Sequence, residues 1–251
     1  MSSTIWTECG GISNLRPMGL EAVRVVEAQH VVSTRKLVDS DAEQAVLEAL
    51  IDTAKPPDPT QGRLHYLLST PFRYPPLRHG SRFGSRFELG IWYGSEGIRT
   101  ALAETAYYRL LFLEGTEANL GTVEVELTSF SVRIASESGI HLGEPPFLAH
   151  APSISSPTQY RRSQALGRSL RAEGVEVVLF RSARDREGGV NVAAFNARVF
   201  GRARPKAFRS WYAAATRTRV DFRKRDFLRP VYLSFPREDF LVGGALPAPA
   251  L

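Results

Sequence analysis

The chain has 251 residues, 43% of them apolar, which suffices for one large domain or two small ones. A single cysteine, Cys9, excludes an intramolecular disulfide and a cysteine-rich zinc site, and no apolar run reaches the length of a membrane span. The net charge of +6 suits an anionic ligand or an acidic partner, and equally suits solubility alone.

The opening MSSTIWTECGG lacks the charged-then-apolar order of a signal peptide, so a cytoplasmic protein is expected. Residues 1–19 read as a flexible lead-in, and Cys9 within it is not read as a nucleophile. No linker-like composition divides the rest, so one domain is expected over 20–240, with a disordered tail at 241–251. The valine-rich run Leu20–Val32 predicts a first strand. Arg24 sits between Val23 and Val25 in it, and such an arginine needs an anionic partner, a cleft or an escape to solvent. Residues 39–53 form a clear helix, with Ser40 or Asp41 as its cap and Ala45, Leu47, Leu50 and Ile51 as apolar surface. KPPDPTQGR at 55–63 stops it. Leu64–Ser69 then reads as a strand, and the prolines after it force an extended or turning path. His65 and His79 do not have metal-ligand spacing, and no other Cys/His/Asp cluster does.

The most informative stretch is Gly80–Phe112, GSRFGSRFELGIWYGSEGIRTALAETAYYRLLF. A Gly/Arg/Phe loop leads into a short strand, Ile91–Tyr93. The turn GSEG follows, then a helix from Ile98 to Phe112. That helix is apolar on nearly every side, as buried helices are. Glu104 lies in its middle, on a stripe with Ala101, Tyr108 and Leu111. A carboxylate there must be neutral, find a donor or line a cavity. Arg82, Tyr93 and Glu104 recur at steps of eleven residues, so loop cation, strand-end aromatic and helical carboxylate can meet at one end of a strand–turn–helix unit. A helical glutamate merely paired with a nearby arginine is the plainer alternative.

Further on, Gly121–Leu127 alternates as a half-exposed strand and SVRIAS adds a second short piece. Residues 139–160 read as a long loop that can border a site. Tyr160–Glu173 is a helix with Gln164 near its start, stopped by Gly174. Val175–Phe180 and Val190–Phe195 are strands, and Ser182 stands in the turn between them, where serine also commonly caps a turn. Residues 198–229 carry eleven cations interleaved with Phe208, Trp211, Tyr212 and Phe222. Such a pattern can bind single strands of nucleic acid, yet no recognition motif accompanies it, so a solvated face or a protein contact ranks higher. VYLSFPREDF supplies a last strand.

The order Gly80–x–Arg82–Phe83, a strand ending in Tyr93 and then TALAE on a helix resembles the RES domain family, named for an arginine, a glutamate and a serine. The resemblance returns in SQALGRSLRAEGVEVVLFRSARDREGGVNVAAF and spans residues 20–200 in all. It implies a mixed α/β domain similar to ADP-ribosyltransferase folds, acting on NAD as substrate and needing no metal. Family members split NAD by hydrolysis or by phosphorolysis with inorganic phosphate, or transfer ADP-ribose to protein. Many are toxins neutralised by an Xre-type helix-turn-helix antitoxin. By the resemblance Glu104 stabilises positive charge on the sugar or holds a ribose hydroxyl, Arg24 and Arg82 clamp the phosphates, and Tyr93 stacks on nicotinamide or orients the sugar. Ser182 holds the ribose or positions the acceptor, with Gln164 in support. Phe72-Arg73-Tyr74 also resembles the family's first aromatic-Arg motif, so Arg73 rivals Arg24 for that role; Arg24 is preferred because the domain should begin with its strand, although a helical insertion at about 33–62 lengthens the gap between Arg24 and Arg82 relative to compact family members. That insertion can alter activity, close the cleft or build a homodimer.

Overall fold

The structure, a computed structural model, describes residues 4–28, 38–76, 79–226 and 228–248, with the backbone alone described at residue 52. Its strands in chain order are β1 (Arg16–Glu27), β2 (Trp92–Ser95), β3 (Val123–His141), β4 (Val177–Arg181), β5 (Val190–Ala194), β6 (Lys206–Ala215), β7 (Arg219–Lys224) and β8 (Tyr232–Pro236). The helices are α1 (Ile5–Glu8), α2 (Asp41–Ala54), α3 (Tyr66–Arg73), α4 (Ile98–Glu114), α5 (Ala151–Ile154) and α6 (Arg161–Ala172), with short 3-10 turns between elements. The fold is mixed α/β: one eight-stranded sheet of mixed direction flanked by helices.

β3 organises the sheet. One of its edges carries β1, antiparallel from Leu127 to Gly139. The other carries β6 along its first half and β4, in parallel, at Gly139–His141. β1 also meets β2 at Val23–Ser95, β2 pairs with β5, and β5 with β4. The pairings β3–β1–β2–β5–β4 therefore return to β3 as a closed circuit, which leaves few bare strand edges. Side chains from all five strands fill its inside: Ala22, Trp92, Phe130, Val132, Ile134, Val177, Leu179, Val192 and Ala194, with Leu68 and Phe72 of α3 and Phe200. A second core lies between α4 and β6–β8, built on Leu102, Tyr107, Leu110, Trp211, Phe222 and Phe235. A third gathers Phe83, Phe147, Ile154, Leu166, Leu170 and Phe180 under α1, α5 and α6.

Several sequence expectations change. The expected strand at Leu64–Ser69 is the helix α3: Leu64, Leu68 and Phe72 repeat at four-residue steps, and the His65 ring caps the Leu67 amide at 3.3 Å. The two expected strands around Ser129 are one continuous strand, β3. In the expected N-terminal lead-in, a reciprocal Thr4–Thr7 capping box starts α1, and Trp6 and Cys9 are buried, with Trp6 against Phe147. Within the expected tail, Leu246 is buried and the Tyr107 hydroxyl donates to the Pro247 carbonyl at 2.5 Å. The expected first strand runs Arg16–Glu27; its residues 29–32 lie outside the described residues.

In the cation-rich C-terminal stretch the cations lie at the surface, Lys224 half-buried and the others exposed. Trp211 and Phe222 are core residues. Lys206 pairs with Glu21, Arg219 with Asp221, and Lys224 with Asp226, while Arg217 donates to the Thr116 carbonyl.

Candidate active site

The closed circuit opens towards α4 and the loop before β2, and a cavity of about 750 Å³ lies there. Its walls come from β1 (Val23–Val26), α3 and its proline-rich exit, the loop at Gly80–Arg82, β2, α4 (Ala101, Glu104, Thr105, Tyr108), Tyr160, Phe180 and Asn191. That volume falls among ordinary small-molecule sites.

Glu104 reaches the wall one and a half turns into α4. Its Oε1 accepts from the Ser182 hydroxyl at 2.7 Å and from the Asn191 amide at 2.6 Å. Oε2 has no hydrogen-bond partner among the described residues, on a side chain that lines the cavity. The carboxylate is therefore held by one oxygen and free at the other. Among the described residues it pairs with no arginine, which sets aside the plainer alternative of a simple ion pair.

Ser182 is presented by the turn between β4 and β5. Its oxygen also accepts from the backbone N–H groups of Arg184 and Asp185, both at 3.0 Å. Asp185, in turn, takes the Thr100 hydroxyl at 2.8 Å and lies 3.5 Å from Arg99, both at the start of α4. The turn is thus strapped to the helix that carries Glu104. Gly189 closes the strap: a β-carbon there would lie 2.0 Å from Thr100 Oγ1. Ser182 is better described as orienting Glu104 than as a free hydroxyl.

Arg82 is buried. Its Nη1 donates to the carbonyls of Ile154 and Ser156 at 3.1 and 3.0 Å, and its guanidinium stands 5.0 Å over the Tyr160 ring. The charge is held by dipoles and an aromatic face, with no carboxylate bonded to it among the described residues. Tyr93 lies alongside, its hydroxyl 3.0 Å from Ser81 Oγ and accepting from the Phe83 N–H at 3.2 Å. Burial pushes the phenol up to about 12, so it is a neutral hydroxyl at physiological pH. The loop is fixed from behind by Gln164, whose amide donates to the carbonyls of Ser81 and His79 at 3.0 and 3.2 Å. α6 approaches so closely that a β-carbon at Gly167 would lie 2.0 Å from the Phe83 carbonyl oxygen.

Arg24 points inward with Ala22, two residues before it on β1. Its guanidinium stands 5.5 Å over Trp92 and lines the cavity, and its buried Nη1 has no hydrogen-bond partner among the described residues. Burial lowers it to about 10, which still leaves it cationic at neutral pH. A buried cation that lacks an anion is costly, and an anionic ligand would repair it.

The structure thus brings Arg24, Arg82, Tyr93 and Glu104 to one cavity wall, with Ser182 directly behind. It does not bring Arg73 or Gln164 there. Arg73 turns away at the C-terminal end of α3 and donates to the Pro56 carbonyl, so of the two rival arginines Arg24 faces the cavity. Gln164 supports the loop instead of lining the space. Sequence reasoning missed Asn191 and its buried neighbour Ser95, single polar residues on short strands. Among the described residues no cluster of three or more His, Cys, Asp or Glu has metal-holding geometry.

The RES domain model matches residues 55–217, which includes Arg73, Arg82, Tyr93, Glu104, Gln164, Ser182 and Asn191 and leaves Arg24 outside. No curated protein matches the chain. Among solved structures, a chain of the crystal structure of the M. tuberculosis MbcT–MbcA toxin–antitoxin complex is similar with a TM-score of 0.42 and 11% identity, over 72% of this chain and 75% of that one.

Proposed function

The chain belongs to the RES domain family, and we propose from that premise that it cleaves NAD at the bond between nicotinamide and ribose. The observation that carries the reading is Glu104: a carboxylate anchored at one oxygen, free at the other, on the wall of a cavity that also holds two arginines without carboxylate partners among the described residues.

The chemistry asks for such a set. When nicotinamide leaves, it takes the bonding electron pair and becomes neutral, and the ribose carbon takes up positive charge, as in glycoside cleavage. A fixed carboxylate beside that carbon stabilises the charge without reorganising, since Ser182 and Asn191 already hold it. Two phosphates between the sugars require cations, and Arg24 and Arg82 supply planar donors. Tyr93, a neutral hydroxyl on an aromatic ring that lines the same cavity, is the group proposed to stack on or orient the departing half. Water, or a phosphate oxygen, then bonds to the ribose carbon and gives up its proton.

Purified protein incubated with NAD releases free nicotinamide on this reading, and Glu104→Gln, which keeps the shape and loses the charge, nearly abolishes release without unfolding the chain. Undiminished turnover by Glu104→Gln rejects the assignment. Phosphate in the buffer separates hydrolysis, giving ADP-ribose, from phosphorolysis, giving its phosphorylated form. Labelled NAD that leaves its label on a macromolecule identifies transfer to protein instead. Family membership further supports the role of toxin in a toxin–antitoxin pair, with an Xre-type helix-turn-helix protein as partner; co-expression that relieves growth arrest tests it. The reading as a nucleic-acid-binding module is less favoured, because Trp211 and Phe222 of the four interleaved aromatics are buried in the core and no recognition motif accompanies the exposed cations.

A further inference from the structure

We propose that Asn191 is a positioning residue for Glu104, and that Ser95 fixes the orientation in which Asn191 acts. The inference rests on Glu104 being the reacting carboxylate of the proposed NAD cleavage.

The placement is a consequence of strand register. Ser95 on β2 and Asn191 on β5 are direct cross-strand partners, so their side chains leave the sheet on one face, the face that α4 crosses. Both are nearly sealed from solvent, 2% and 5% exposed. Two polar side chains at such a depth each need a partner. Among the described residues Ser95 bonds Asn191 and Asn191 bonds Glu104.

The direction of the hydrogen bonds follows from donor chemistry alone. An ionised carboxylate only accepts. The Asn191 atom at 2.6 Å from Glu104 Oε1 must then be the amide nitrogen. The amide oxygen is left facing Ser95, whose hydroxyl donates to it at 2.7 Å. The relay runs one way, from Ser95 to Asn191 to Glu104. Ser182, just past the end of the neighbouring strand β4, brings a second donor to the same oxygen. With two donors on Oε1, the carboxylate cannot turn without breaking both bonds, and Oε2 is the oxygen left for the substrate. The other ionisable groups on this cavity are Arg24 on β1, Tyr66 on α3 and Tyr74 just after it, Arg82 on the loop, Tyr93 on β2, Tyr108 on α4 and Tyr160 before α6. None of them hydrogen-bonds Glu104 among the described residues, so the orientation depends on Asn191 and Ser182.

Initial-rate kinetics of nicotinamide release, with thermal melts, test this in Asn191→Asp, Asn191→Leu and Ser95→Ala. Asn191→Asp keeps the shape but replaces the donor by a second carboxylate against Oε1. The expected result is a fall in kcat of about 100-fold or more, the scale for a misplaced reacting group, with KM for NAD little changed. Asn191→Leu loses no more than Asn191→Asp, and Ser95→Ala loses less than either because the amide nitrogen can still find Glu104. A purely structural Asn191 gives the opposite order, with the isosteric Asp tolerated better than Leu; that order, or a kcat for Asn191→Asp close to wild type, overturns the proposal. If neither Asn191 variant folds, Ser95→Ala decides: lowered kcat at constant KM supports the relay and unchanged kcat refutes it. A wild-type protein that releases no nicotinamide refutes the NAD reading itself and this inference with it, whereas an active wild type with the reversed order refutes the inference alone.

Discussion

Replacing Arg24 by methionine should stabilise the empty protein while weakening NAD binding. Burial desolvates the guanidinium and lowers it from the ordinary arginine value to about 10, and its Nη1 is unbonded among the described residues. A displacement of that size disfavours the charged form by about 3 kcal/mol. Methionine fills similar space, keeps a favourable contact with the Trp92 ring and carries no charge. Exchange of a buried ionic group for an apolar one of like volume gains about 1–4 kcal/mol in other proteins. At about 2–4 °C per kcal/mol for a chain of this size, the melting temperature of Arg24→Met should rise by several degrees. The same substitution removes a charge-assisted contact to the pyrophosphate, for which about 1.5–3 kcal/mol is typical, so KM for NAD should rise about 10- to 100-fold. Differential scanning fluorimetry with and without NAD, beside steady-state kinetics, reads both effects. A variant that melts lower than wild type and binds NAD equally well would refute the reasoning, since it would make Arg24 a structural residue with an unrecognised partner.

Gly167→Ala should be costly although alanine favours helices, because its β-carbon would meet the Phe83 carbonyl oxygen at 2.0 Å. Loss of about 1–3 kcal/mol by chemical denaturation is expected for such overpacking, with activity reduced through displacement of the Arg82 loop. The Tyr93 phenol should titrate at about 12 in place of 10, as read by phenolate absorbance against Tyr93→Phe. Its folded-state value is raised, so the stability linked to it is fully present below pH 10 and is lost as the pH climbs through about 12. A Tyr93 that ionises near 10 would contradict its burial.

The elements legible in the sequence were those whose signals are local. The helix carrying Glu104 was visible because seventeen helical residues follow Gly97 with few polar interruptions, although Gly94 and Ser95, expected in the turn before it, extend β2. The meeting of Arg82, Tyr93 and Glu104 was legible from the same strand–turn–helix unit. α3 was not, because a run as short as Leu64–Ser69 satisfies strand and helix alike, and the distinguishing fact is the burial of Phe72 beyond it. β3 read as two strands because Ser129 and Ser131 interrupt its apolar alternation; Ser129 is in fact satisfied by the Trp211 indole at 2.9 Å. Closure of the five-strand circuit depends on β1 pairing with a strand more than a hundred residues away, which no local pattern encodes. Asn191 and Ser95 were missed for the same reason: each is an ordinary polar residue until register sets them side by side.

The most direct test of the central claim is a crystal structure of Glu104→Gln soaked with NAD. The expected result is the nicotinamide-side ribose within hydrogen-bond reach of residue 104, with the pyrophosphate contacted by Arg24 and Arg82. Intact NAD bound elsewhere on the molecule, with this cavity still empty, would contradict it.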